Sequence, residues 1–220
     1  MRILMERAML HSIKITAMAA LGLLGAISVA AAEPARIDDL SGRIFGAQSS
    51  ARKQSACFVR TYDSAHLAAH PKQKVRQMML LVGREADEDT DAAEGSSHFS
   101  FSVGFRMRGE SGRLESSGSC SRAKAAETGE NMARINCGVD CDGGGLALQI
   151  SDDNKSLRVE MDEIRVEVAG AKPKDDDEPD GHRLSGGADD RVFRLDRANL
   201  RECLPLVTDK AEIAAIKRGK

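Results

Sequence analysis

Five apolar residues at alternate positions, Phe99, Phe101, Val103, Phe105 and Met107, share a run of backbone with Ser100, Ser102, Gly104, Arg106 and Arg108. A strand sends successive side chains to opposite faces, so a run this regular predicts a half-buried antiparallel strand with one wet face. Arg106 and Arg108 fall on that wet face, where a basic pair either meets solvent or reads a carboxylate or other anionic surface.

The same logic applies to residues 57–62, 74–82, 113–121, 132–141 and 145–150. In the fourth run Ala133, Ile135, Cys137, Val139 and Cys141 point inward. Asp142-Gly143 between the last two predicts a hairpin turn, because both residues tolerate positive φ. Leu157, Val159 and Met161 continue the alternation, and Ile164, Val166 and Val168 resume it in the opposite parity, which predicts a turn or bulge at Asp162 and Glu163. A short strand follows over 191–195, and Asp196 is placed to cap a helical turn or two over 196–203. Helix is otherwise sparse. The expected fold class is therefore all-β: an antiparallel barrel or two-sheet sandwich of about eight strands with a short C-terminal helical turn.

Residues 1–32 carry the three parts of a secretory signal: Arg2, Arg7 and Lys14, an uncharged run from Ile15 to Ile27, and Ala30, Ala31 and Ala32 as an A-x-A cleavage site before Glu33. Cleavage is expected after Ala32, with Ala31 as the second choice. A membrane anchor is the competing reading, since the uncharged stretch is only slightly shorter than the roughly 20 residues of a spanning helix. Gly22, Gly25 and the absence of a following basic cluster weigh against it. Residues 33–220 then form a single exported β-rich domain, periplasmic or secreted, with acidic loops at 84–97 and 170–190. The formal net charge of −2 and the lack of a basic, aromatic-interleaved stretch argue against nucleic-acid binding. Six Phe, one Tyr and no Trp leave little for a stacking platform.

Five cysteines in an exported chain suggest two disulfides and one thiol. On one extended strand Cys137 and Cys141 are separated by roughly 13 Å, beyond the roughly 4.4–6.8 Å between α-carbons that a disulfide allows. They must therefore have different partners. Cys120 pairs with Cys137 if their strands run antiparallel, and Cys57 with Cys203 across the length of the domain. Cys141 is then the odd thiol, with Cys141 to Cys203 the alternative bridge. A redox or metal site at Cys137 and Cys141 is disfavoured, because C-x-x-x-C at a strand end is not the helix-opening C-x-x-C of a redox pair.

The segment from Tyr62 to Gln73 holds the candidate metal ligands. If it turns helically, Asp63, His66 and His70 share one face at spacings of three and four, a donor set that suits zinc or another divalent transition metal. The bland alternative is a capped connecting turn whose histidines bond locally, with Pro71 ending the helix. Asp87, Asp89 and Asp91 resemble the start of a calcium loop, but Ala92 and His98 stand where its Gly and Glu are needed. Gly143-Gly144-Gly145 lacks the setting of a phosphate loop, and no serine sits in a Gly-x-Ser-x-Gly elbow.

No residue is assigned a catalytic or cofactor-binding role. The expected function is a non-catalytic exported β-domain that binds a small ligand or an envelope protein, without a cofactor, nucleic-acid partner or membrane span once the signal is removed. A metal-dependent protein built on Asp63, His66 and His70 and a structural envelope protein are the alternatives.

Overall fold

The structure is a computed structural model that describes residues 37–46, 53–86, 97–122, 134–171 and 182–219. The chain divides between Glu33 and Pro34, and everything described belongs to the second unit, Pro34–Lys220. The expected signal at 1–32 and most of the two acidic loops, residues 87–96 and 172–181, lie outside the described residues.

In chain order the elements are α1 (Ile37–Phe45), β1 (Lys53–Thr61), α2 (Ser64–Ala69), β2 (Val75–Ala86), β3 (Ser97–Met107), β4 (Leu114–Arg122), β5 (Arg134–Gly138), β6 (Gly144–Ile150), β7 (Ser156–Val168), β8 (His182–Ser185), β9 (Val192–Ala198), a 3-10 helix (Leu200–Leu206) and α3 (Lys210–Arg218). Each strand from β1 to β7 pairs antiparallel with the next, β7 pairs with β9, and β9 returns to β1. The sheet is thus a closed ring. Below the short β5–β6 hairpin, Leu114 and Glu115 of β4 lie directly opposite Val168 and Glu167 of β7.

Helices at the start, after β1 and at the end of this unit correct the expectation of an all-β chain with one short C-terminal turn. Each has a local cause that alternation does not reveal. Leu40 and Ile44 of α1 are one turn apart and both buried, so the helix lies across one end of the ring, where Phe45 stacks on Phe99. Arg197 donates to the carbonyls of Arg43 and Ile44 near the end of α1, and Arg43 reaches back to the Ser151 carbonyl and Asn154. Asp196 is a β9 residue and not a cap. Asn199 caps the 3-10 helix by accepting from Arg201 N–H, and Asp209 caps α3 by accepting from Glu212 N–H.

The ring is solid. Phe58, Met78, Leu80, Val103, Phe105, Leu148, Val159, Met161 and Phe193 fill it from all sides, so this eight-position ring holds side chains where larger rings hold a channel. Outside it, the 3-10 helix and α3 cover β1 and β2, with Leu206, Val207 and Ile216 packed on Cys57, Met79 and Leu81. Disulfides join Cys57 to Cys203 and Cys120 to Cys137, the latter pair lying directly opposite each other on β4 and β5.

Strand β7 runs unbroken through Asp162 and Glu163, and its register against β6 shifts between the Leu146–Met161 and Gly144–Ile164 pairs. This bulge changes parity, leaving Met161 and Ile164 both inward. The acidic segment 170–190 is not all loop, since it contains β8, whose Leu184 is buried opposite Ile164. In the β5–β6 turn the positive φ values fall on Cys141, Asp142 and Gly144, so Cys141 leaves the inward face and is exposed.

A groove at the barrel seam

The ladder that closes the ring between β9 and β1 covers only part of either strand. Their ladder ends at Val59 opposite Asp196, while β1 continues on its β2 side, where Tyr62 N–H donates to the Arg76 carbonyl at 2.9 Å. Strands β8 and β9 occupy one position along β7, with Ser185 opposite Glu163 and Val192 opposite Glu160. Gly186–Arg191 bulges out between them. A side chain at Gly186 would strike the Met161 carbonyl at 2.2 Å, so only glycine passes this close to β7. The bulge is pinned by Asp190, which is 1% exposed and whose carboxylate accepts from Lys74 N–H at 2.6 Å and Val75 N–H at 3.1 Å. Two backbone donors offset the cost of burying that charge.

Between the parted strands lies an open groove of about 490 Å³, lined by Arg60, Tyr62, His66, His70, Gln73, Ala188, Asp189, Arg191, Val192 and Arg194. It sits at the end of the ring opposite α1. One wall is a column of three rings: Tyr62 stacks on His66 at 4.5 Å between centroids, and His66 on His70 at 4.3 Å. The guanidinium of Arg60 lies 5.6 Å from the Tyr62 centroid, a cation–π contact. Burial pushes the Tyr62 phenol above its ordinary value, with the Arg60 charge opposing, so the ring is neutral near pH 7.

The column stands because α2 is fixed at both ends. Asp63 caps it, accepting from His66 N–H at 2.7 Å, and His70 closes it before Pro71. Arg108 reaches from the end of β3 to the Leu67 and Gln73 carbonyls at 3.2 and 3.3 Å. Gln73 is buried, and its amide nitrogen donates to the Val75 carbonyl at 2.7 Å. That orients its oxygen toward His66 Nε2, 3.0 Å away, so this ring nitrogen carries the proton and donates.

Asp63, His66 and His70 all belong to this turn, and each has a partner of another kind. The Asp63 carboxylate is taken by the cap, His66 Nε2 is a donor to Gln73, and His70 stacks. Among the described residues no group of three or more His, Cys, Asp or Glu side chains is arranged to hold a metal ion.

The opposite wall brings charge. Arg191 pairs with Asp162 at 2.9 Å and Arg194 approaches Asp196 through Nε at 3.6 Å, while their side chains are 67% and 72% exposed. Arg60 donates to Asp196 at 2.8 Å, and its buried Nε has no partner among the described residues. At the far end the Asp189 carboxylate accepts from Lys72 N–H. The groove is therefore polar along its length, basic at Arg191 and Arg194 and acidic at Asp189.

Sequence reasoning missed Tyr62, Arg60, Gln73, Arg191 and Arg194 as members of one site. The spacing Tyr62-x3-His66-x3-His70 was a usable signal, since positions four apart on a helix are neighbours. Nothing local marks Arg191 and Arg194, which arrive from the far end of the chain. No known protein family, curated protein or solved structure matches this chain. Among the described residues no helix is long and apolar enough to cross a membrane.

Proposed function

We propose that this chain is an exported, non-catalytic β-domain that binds an anionic ligand or envelope partner in the groove at the β1–β9 seam. The observation that carries the reading is the ring column of Tyr62, His66 and His70 facing two exposed arginines across one groove. The solid interior supports it by directing any ligand to the outside of the ring. Export is supported by the signal-like first 32 residues and by the two disulfides, which suit an oxidising compartment.

Two measurements test it. Chemical-shift titration with succinate and with inorganic phosphate is expected to perturb Tyr62, His66, His70, Arg191 and Arg194 together, and an Arg191→Ala/Arg194→Ala variant to lose the response. Shifts spread evenly over the surface arginines, or none at all, would remove the groove from consideration. Fractionation with intact-mass measurement should place the protein outside the cytoplasm with a chain starting near Glu33. A full-length cytoplasmic chain would overturn the export part.

A further inference from the structure

The ring column has a direction. Tyr62 and His66 are half-buried, with Tyr62 under the Arg60 guanidinium and His66 bonded to Gln73, whereas His70, the last ring, is exposed at the groove. A stack that ends on an exposed ring presents a π-face to the next flat group, and such pairs gain about 0.5–1.5 kcal/mol beyond area burial. Val192, 47% exposed and lining the same groove, adds apolar surface that an aliphatic or aromatic body can cover.

Charge in the groove selects one end of that flat group. Arg191 uses one terminal nitrogen on Asp162, and the Arg194 approach to Asp196, at 3.6 Å, is longer than a hydrogen bond. A guanidinium carries five N–H donors, so both side chains retain donors for a carboxylate, and a bidentate pairing is the strong form of that contact. Asp189 repels an anion from the other end. The volume of about 490 Å³ falls within the usual range for small-molecule clefts and is ample for one or two fused rings.

We infer that the ligand is a planar aromatic carboxylate, its ring stacked on His70 as the fourth member of the column and its carboxylate held by Arg191 and Arg194. This rests on the groove being the binding site and names the class of molecule it takes. Specificity comes from the combination: stacking rejects saturated rings, and the arginines reject neutral ones.

Calorimetric titration of the whole exported protein with 1-naphthoate, cyclohexanecarboxylate, acetate and 1-naphthamide separates the terms. Naphthoate should bind roughly five- to tenfold more tightly than cyclohexanecarboxylate, the worth of one stacking contact. Naphthamide should be weaker than naphthoate by about tenfold or more, the worth of a charge-assisted pair. His70→Ala should bring naphthoate down to the level of cyclohexanecarboxylate, and His70→Phe should restore it. Because His70 is exposed, neither change threatens folding, and unchanged thermal unfolding verifies this. Equal binding of the flat and saturated acids, or a His70→Ala variant with undiminished preference, would overturn the aromatic inference and leave an anion groove standing. Binding of naphthamide as tight as that of naphthoate would overturn the role given to the arginines. Failure of every carboxylate would bring down both the inference and the groove reading beneath it.

Discussion

The inner faces of β1 and β2 look into a core supplied by the whole ring, whereas the outer faces of the same strands are covered by one late segment of chain. Inside, Phe58, Met78, Leu80 and Val82 meet apolar residues from strand after strand. Outside, Cys57, Met79 and Leu81 depend on Leu206, Val207 and Ile216, and a disulfide joins the two sides of that contact. The inner core is redundant, with many neighbours for each side chain. The outer one has few members, and its covalent link supplies part of what packing does not.

Measurements that separate the two regions follow from this contrast. Removing the tether in a Cys57→Ala/Cys203→Ala variant should have the largest effect, about 5 kcal/mol on the entropic model for a bridge spanning 146 residues, read by urea unfolding. Hydrogen exchange on that variant should show the 3-10 helix and α3 opening while ring amides stay protected. Simultaneous loss of protection in both would erase the distinction. Phe105→Ala, at a fully buried ring position, should cost about 4 kcal/mol in the same assay. Leu206→Ala in the outer layer should cost about 2 kcal/mol, the low end for such truncations, because the layer can collapse toward its neighbours. A larger loss than at Phe105 would invert the ranking of the two regions.

Smaller effects sharpen the picture. Lys53 Nζ meets Glu212 Oε2 at 2.6 Å between β1 and α3. The hydrogen bond to Glu212 raises Lys53 above its ordinary value, against some opposition from burial. A raised lysine stabilises below its ordinary 10.5 and ceases to as pH climbs through the folded value. Lys53 is half exposed, so Glu212→Gln should lower stability by no more than about 0.5 kcal/mol near neutrality, with the gap closing in strongly alkaline buffer. Smallest of all, native alkylation should label Cys141 alone, with no change in unfolding midpoint.

The inner face was legible in the sequence because each strand reports its own half of it. Phe99 to Met107 alternate as written and are buried as written. The outer layer was not, because a strand covered on both faces loses alternation. Residues 78–82, Met-Met-Leu-Leu-Val, are consecutive and all buried, the mark of a strand enclosed on both sides. Reading Asp196 as a cap failed for a related reason. Asp and Asn both cap helices, and whether Asp196 ends a strand or starts a turn depends on the β7 and β1 partners that hold Leu195 and Asp196 in the sheet. Of the groove, the α2 turn was legible from Asp63 and Pro71. Its second wall was not, since Arg191 and Arg194 come to line the same groove as His70 only after the ring closes.

Cys57 lies on β1 opposite Ala198, and Cys203 follows shortly after on the same return of the chain. The hydrogen-bonded ring and a covalent ring therefore close at one place. A protease that cuts once anywhere between residues 58 and 202 yields a nicked molecule and not two fragments. Between 120 and 137 the second bridge holds the ends again. On a non-reducing gel such a protein runs as one species however old the cut, and only added thiol reveals its history.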